Sequence, residues 1–130
     1  MTGDRTTRRR FIAAGGVAAA ALAGAGAARL LGGGPKEALT GHVDEAIGSD
    51  AVRAVGRAYL GVRPAEDGET RLVRLLRSRP EWRSVSSPAD ARRALARAGR
   101  DDFAAGRLVS VDGWYLAESE ARACALATFA

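Results

Sequence analysis

One histidine, His42, and one cysteine, Cys124, are the only imidazole and thiol in this 130-residue chain. They stand far apart in the sequence, so neither a Cys–His pair nor a Ser-His-Asp set is written into local spacing. His42-x-Asp44-Glu45 places nitrogen and oxygen donors close together, yet no further histidine or cysteine completes a metal set. Asp101-Asp102 is a pair of carboxylates near an expected helix end, where capping or solvated charge is the usual role. Glycines gather in residues 1–34 and not in a strand–loop–helix phosphate cradle. Cys124 sits between Ala123 and Ala125 and reads as a small buried apolar residue, not a nucleophile. A single thiol also leaves no internal disulfide. These residues point away from an enzyme: no catalytic, cofactor-binding or metal-ligating group is expected.

The informative run comes earlier, in TTRRRFIAAGGVAAAALAGAGAARLLGGG. Between Ile12 and Ala28 only Ile12, Val17 and Leu22 are larger than alanine. Gly15, Gly16, Gly24 and Gly26 each cost about 1 kcal/mol in a helix interior, which argues against a packed helix of the domain. Thr7, Arg8, Arg9, Phe11 and Ile12, followed by this mild apolar segment, resemble the twin-arginine (Tat) export signal. Ala13 stands where that pattern usually has lysine. The resemblance implies a basic end held in the cytoplasm, an apolar signal helix entering the membrane, and recognition by the Tat translocase. It also implies low hydrophobicity, since greasier segments take the general secretory route. Ala25-Gly26-Ala27 offers a small-x-small cleavage pattern through Ala25 and Ala27, with Ala23-Gly24-Ala25 as a second option. The length is also near the roughly 20 residues that span a bilayer, so a retained anchor is the competing reading.

The formal charge of +5 belongs mostly to that leader. Arg5, Arg8, Arg9, Arg10 and Arg29 face only Asp4 there, and the remainder is close to neutral. A near-neutral domain lacks the electrostatic footprint of a phosphate binder, so no nucleic acid partner is expected. Two segments follow: residues 1–34, signal peptide and Gly-rich joint, and residues 35–130, one small domain. A domain this small is marginal alone and gains from a partner.

Its elements read as mainly α, with one short C-terminal β-hairpin. Leu39, Val43 and Ile47 mark a short helix ending near Gly48. Ser49 caps the next, whose stripe is Val52, Val55, Tyr59 and Val62. Asp67-Gly68 turns into a helix with Leu72, Leu75 and Leu76 on one face, stopped at Ser78-Arg79-Pro80. Trp82 to Ser86 is a connector without a clear conformation. Ser87-Pro88-Ala89-Asp90 is a strong helix start, with Ala91, Ala94, Leu95 and Ala98 inward and Gly106 as the stop. Leu108, Val109 and Val111 then face Trp114, Tyr115 and Leu116 across Asp112-Gly113, a two-residue hairpin signal. Glu118 onward is helical, with Glu118, Glu120 and Arg122 as a solvated first turn.

Gly56-Arg57-Ala58-Tyr59-Leu60, Asp102-Phe103, Gly106-Arg107, Asp112-Gly113-Trp114 and Glu120-Ala121 give the domain a likeness. It is similar to small Tat-exported companions of periplasmic oxidoreductases, including the small subunits of flavin-dependent sugar dehydrogenases. The resemblance implies a helical accessory subunit without a cofactor of its own, exported with a larger cofactor-bearing subunit to the periplasm or cell envelope. Membrane contact is then expected through the leader only. A free-standing envelope binding or structural module, held by an uncleaved leader, is the alternative. Trp114, Tyr115 and Leu116 are the expected partner interface, with Trp114 turned into the core and Tyr115 outward, because adjacent strand residues face opposite ways.

Overall fold

A computed structural model of the chain describes residues 37–130. Five α-helices and a two-stranded antiparallel hairpin make up this region: α1 (Ala38–Ile47), α2 (Asp50–Val62), α3 (Glu69–Arg77), α4 (Pro88–Ala105), β1 (Leu108–Val111), β2 (Trp114–Ala117) and α5 (Glu118–Ala127). Short 3-10 turns at Pro64–Glu66 and Pro80–Trp82 bracket α3. The architecture is mainly α, as the sequence predicts. No helix among the described residues is long and apolar enough to cross a membrane.

Local chemistry sets the helix ends. The Ser49 hydroxyl accepts the Val52 N–H at 3.1 Å and opens α2. The Ser87 hydroxyl does the same for the Asp90 N–H at 3.1 Å, with Pro88 supplying the fixed φ of the first turn. Asp90 returns a bond by accepting from the Ser86 N–H at 3.1 Å, so its carboxyl is held below the usual range. Gly106 closes α4 in the left-handed conformation, φ 73°.

The five helices assemble around α5, which packs against all four others. Its Ser119, Ala121, Ala123, Cys124, Ala125, Leu126 and Ala127 are buried, so it is enclosed on most sides. Small side chains let the neighbours come close. At the α2 crossing a Cβ on Gly56 would lie 2.2 Å from the Cys124 carbonyl oxygen, so only glycine permits this approach. The inward line of α2 is therefore Val52, Gly56 and Tyr59. Val62, expected in that stripe, is 50% exposed, and Val55 is only half-buried.

Other expectations shift for related reasons. Val73 joins Leu72 and Leu76 in the core, while Leu75 and Leu95 are half-buried. The connector after α3 is not open chain. Trp82 is 1% exposed and is the largest fully buried side chain. Arg77 fixes this segment: its Nη1 donates to the carbonyl oxygens of Trp82 at 2.9 Å, Arg83 at 3.1 Å and Val85 at 3.1 Å. With Tyr59, Trp82 supplies the aromatic volume of the core.

Candidate functional site

The chemistry-bearing residues separate into three groups. Thr7, Arg8, Arg9, Phe11, Ile12, Ala25 and Ala27 lie outside the described residues. His42 is half-buried on α1, and the neighbouring Asp44 is buried and accepts from Arg53 Nη2 at 2.6 Å. No three or more His, Cys, Asp or Glu side chains are grouped to hold a metal among the described residues. Cys124 is buried in α5, and burial, aided by the charge of Glu120, pushes its thiol up to about 12. A thiol so protonated at neutral pH is a poor nucleophile.

The second group is one that sequence reasoning missed: two carboxylates buried in ion-pair networks. Glu66 accepts the Tyr59 hydroxyl at 2.7 Å and Arg122 Nε at 2.8 Å, and Arg122 Nη1 also reaches Glu118 at 2.9 Å. Arg122 is thus no member of a solvated first turn; the enclosure of α5 turns it inward onto the 3-10 segment after α2. Burial alone would raise the Glu66 carboxyl, but the bonds from Arg122 and Tyr59 outweigh it and hold it below the usual range. The Tyr59 phenol is pushed up by burial and by its bond to that carboxylate. Asp102 is fully buried, not solvated at a helix end. It accepts from the Ser119 N–H at 2.8 Å, Arg79 Nη1 at 2.7 Å and Arg107 Nε at 2.9 Å. Burial opposes its ionisation, and these donors more than compensate, holding the carboxyl low. Asp102 joins α4, the connector after α3 and the start of α5. Carboxylates already saturated with donors make poor general bases, and their role is to lock elements together.

The third group is the hairpin. Asp112 (φ 49°) and Gly113 (φ 77°) are both left-handed, the backbone of a type I′ turn. The register pairs Val109 with Leu116 and Val111 with Trp114 on one face, and Ser110 with Tyr115 on the other. Trp114 and Tyr115 therefore face opposite ways as expected, but Trp114 is not a core residue. It is 36% exposed and Tyr115 43%. Trp114 lies at the turn end, past the layer where Leu116, only 1% exposed, meets the helices. Leu116 is thus not an exposed contact residue; it contributes to the base of the surface that Trp114 walls.

That surface is a groove of about 180 Å³ between α2 and the hairpin. Ala54, Val55 and Ala58 line it from α2, and Val111, Trp114 and Leu116 from the hairpin, with Asp112 as its one charged lining residue among the described residues. Small α2 side chains leave the space, and the exposed indole walls it. A second depression, of about 380 Å³, lies between the Pro80–Trp82 connector and α4. Its lining mixes Glu81 and Asp90 with Arg93, Arg97 and Arg100, and Asp90 is already paired with Arg93. Of the two, the apolar groove is the stronger candidate for recognition. No family model, curated protein or solved structure matches the chain.

Proposed function

We propose that this protein is a non-catalytic accessory subunit, exported through the Tat pathway with a larger cofactor-bearing oxidoreductase, and that the groove and hairpin are its docking surface. The observation that carries the reading is the exposed Trp114 indole that walls an apolar groove, on a domain that encloses Trp82 and Tyr59 completely. An aromatic side chain flanking an apolar recess suits the centre of a protein–protein interface. The buried charges support the same reading, since Glu66 and Asp102 are engaged in holding the fold. Export rests on the arginine pair and the mild apolar run of the leader.

The test is purification of the tagged full chain from the cell envelope, with Trp114→Ala and Ala58→Arg compared with wild type. Recovery of a larger, chromophore-bearing subunit should fall in both variants while circular dichroism stays unchanged. Equal recovery in both would sink the docking assignment. Arg8→Lys with Arg9→Lys should strand the precursor in the cytoplasm, and normal export of that double variant would remove the Tat reading.

A further inference from the structure

We propose that the recess between the Pro80–Trp82 connector and α4 is a binding site for a single phosphate dianion, the terminal group of a small phosphate monoester. It shares no lining residue with the groove between α2 and the hairpin, so the assignment stands apart from the docking reading. Arg93, Arg97 and Arg100 line it at i, i+4 and i+7, the spacing that stacks side chains along one helix face. All three are exposed. Like charges so spaced repel, and the helix gains when an anion neutralises them.

The charges of the recess do not cancel. Its two acids are already engaged: Asp90 with Arg93 and with the Ser86 N–H and hydroxyl at 3.1 Å each, and Glu81 with Arg79 at 3.9 Å. Among the described residues no carboxylate pairs with Arg97 or Arg100. Asp101, next along the chain, is exposed and outside the lining. Two guanidinium charges are therefore unspent. A phosphate monoester carries about −1.5 to −2 at pH 7, which matches them, whereas a carboxylate brings only a single charge. Each guanidinium also presents a planar fork of N–H donors suited to two bonds with one oxyanion. From the connector side, the exposed Ser84 hydroxyl offers a further donor.

The walls are fixed before any ligand arrives. Arg77 Nη1 holds the carbonyl oxygens of Arg83 and Val85, on either side of Ser84, at 3.1 Å each. Asp90 ties Ser86 to the first turn of α4, and the buried Val85 and Ala94 form the base. Such preorganisation leaves little to be ordered on binding. The volume of about 380 Å³ leaves room beyond the phosphate for the carbon part of the ester. The near neutrality of the domain disfavours a long polyanion, but one dianion responds to the local charge of the recess.

Calorimetric titration of the full chain with glycerol 3-phosphate tests this. Saturable binding is expected, displaced by inorganic phosphate and not by acetate at equal ionic strength. Arg97→Gln with Arg100→Gln should weaken it ~100-fold, about tenfold for each lost guanidinium, with circular dichroism unchanged. Arg57→Gln with Arg92→Gln removes the same charge from exposed positions outside the recess and should leave the affinity as it is. Equal weakening by the two pairs would reduce the effect to diffuse charge and overturn the site. So would the absence of saturable binding at millimolar ester, or displacement by acetate as effective as that by phosphate. A chain that sediments with phosphatidylglycerol vesicles through Arg97 and Arg100, yet does not bind the free ester, would assign this face to a membrane and overturn the proposal as well.

Discussion

Replacing Gly56 with alanine sets two effects of known sign against each other. Alanine is favoured over glycine in a helix interior by about 1 kcal/mol, which stabilises α2. Against this, the new Cβ would lie 2.2 Å from the Cys124 carbonyl oxygen, 2.6 Å from its carbonyl carbon and 2.8 Å from the Ala125 Cα. All three neighbours are backbone of the central helix, so no side chain can rotate aside, and α2 must retreat from α5. Overpacking a core costs typically 1–3 kcal/mol, and the rigid neighbours here place the cost at about 3 kcal/mol. The net is a loss of about 2 kcal/mol, or roughly 8–16 °C in Tm for a domain of this size. Gly41 is the internal control, because none of the described residues lies within 4 Å of its added Cβ in α1. Gly41→Ala should gain about 1 kcal/mol. Thermal unfolding of the full-length variants, followed by circular dichroism at 222 nm, reads both. A Gly56→Ala protein as stable as wild type, or more so, would refute the backbone-to-backbone crossing.

Three further outcomes are expected. Asp102 and Glu66 have folded carboxyls lowered from 3.8 and 4.5, so their stabilisation is complete above those values and is lost as pH falls through the lowered folded values. The urea midpoint should therefore drop between about pH 5 and pH 2, more shallowly in Asp102→Asn; a pH-independent wild-type midpoint over that range would contradict the networks. Asp102→Ala at pH 7 should cost about 3–5 kcal/mol by stranding Arg79, with equilibrium urea unfolding as the readout and a loss under 1 kcal/mol as the contrary result. Cys124 should resist thiol reagents at pH 8 in the folded chain and react quickly in urea, since its thiol is pushed up to about 12; fast labelling without denaturant would show the site to be open.

What the sequence made legible was the chemistry acting over a few residues. Ser49 and Ser87 with Asp90 announce helix starts because a hydroxyl needs only the N–H three positions on, and Asp112-Gly113 announces its turn because φ is positive at both positions. The buried charges were illegible for the converse reason. Glu66 meets Arg122 across 56 positions and Asp102 meets Arg79 across 23, and nothing near either residue distinguishes it from a solvated helix face. Trp82 escaped notice because its burial depends on Arg77 gathering the connector's carbonyls, an arrangement with no periodicity to read.

The groove lies between these two cases. In its hairpin half the tight turn was legible, but Trp114 was expected in the core and stands 36% exposed as a wall, while its α2 half depended on which way that helix rolls. The roll is tied to Gly56, where the backbone of α5 lies too close for any side chain. With Gly56 inward, Ala54, Val55 and Ala58 fall on the flank beside the hairpin, and the stripe read from valine spacing is turned partly outward. The same glycine that brings α2 and α5 together thus presents the apolar flank that the groove is built from. Fold and candidate surface are consequences of one close approach, so a variant that forces α2 away from α5 should disturb the groove before it unfolds the domain.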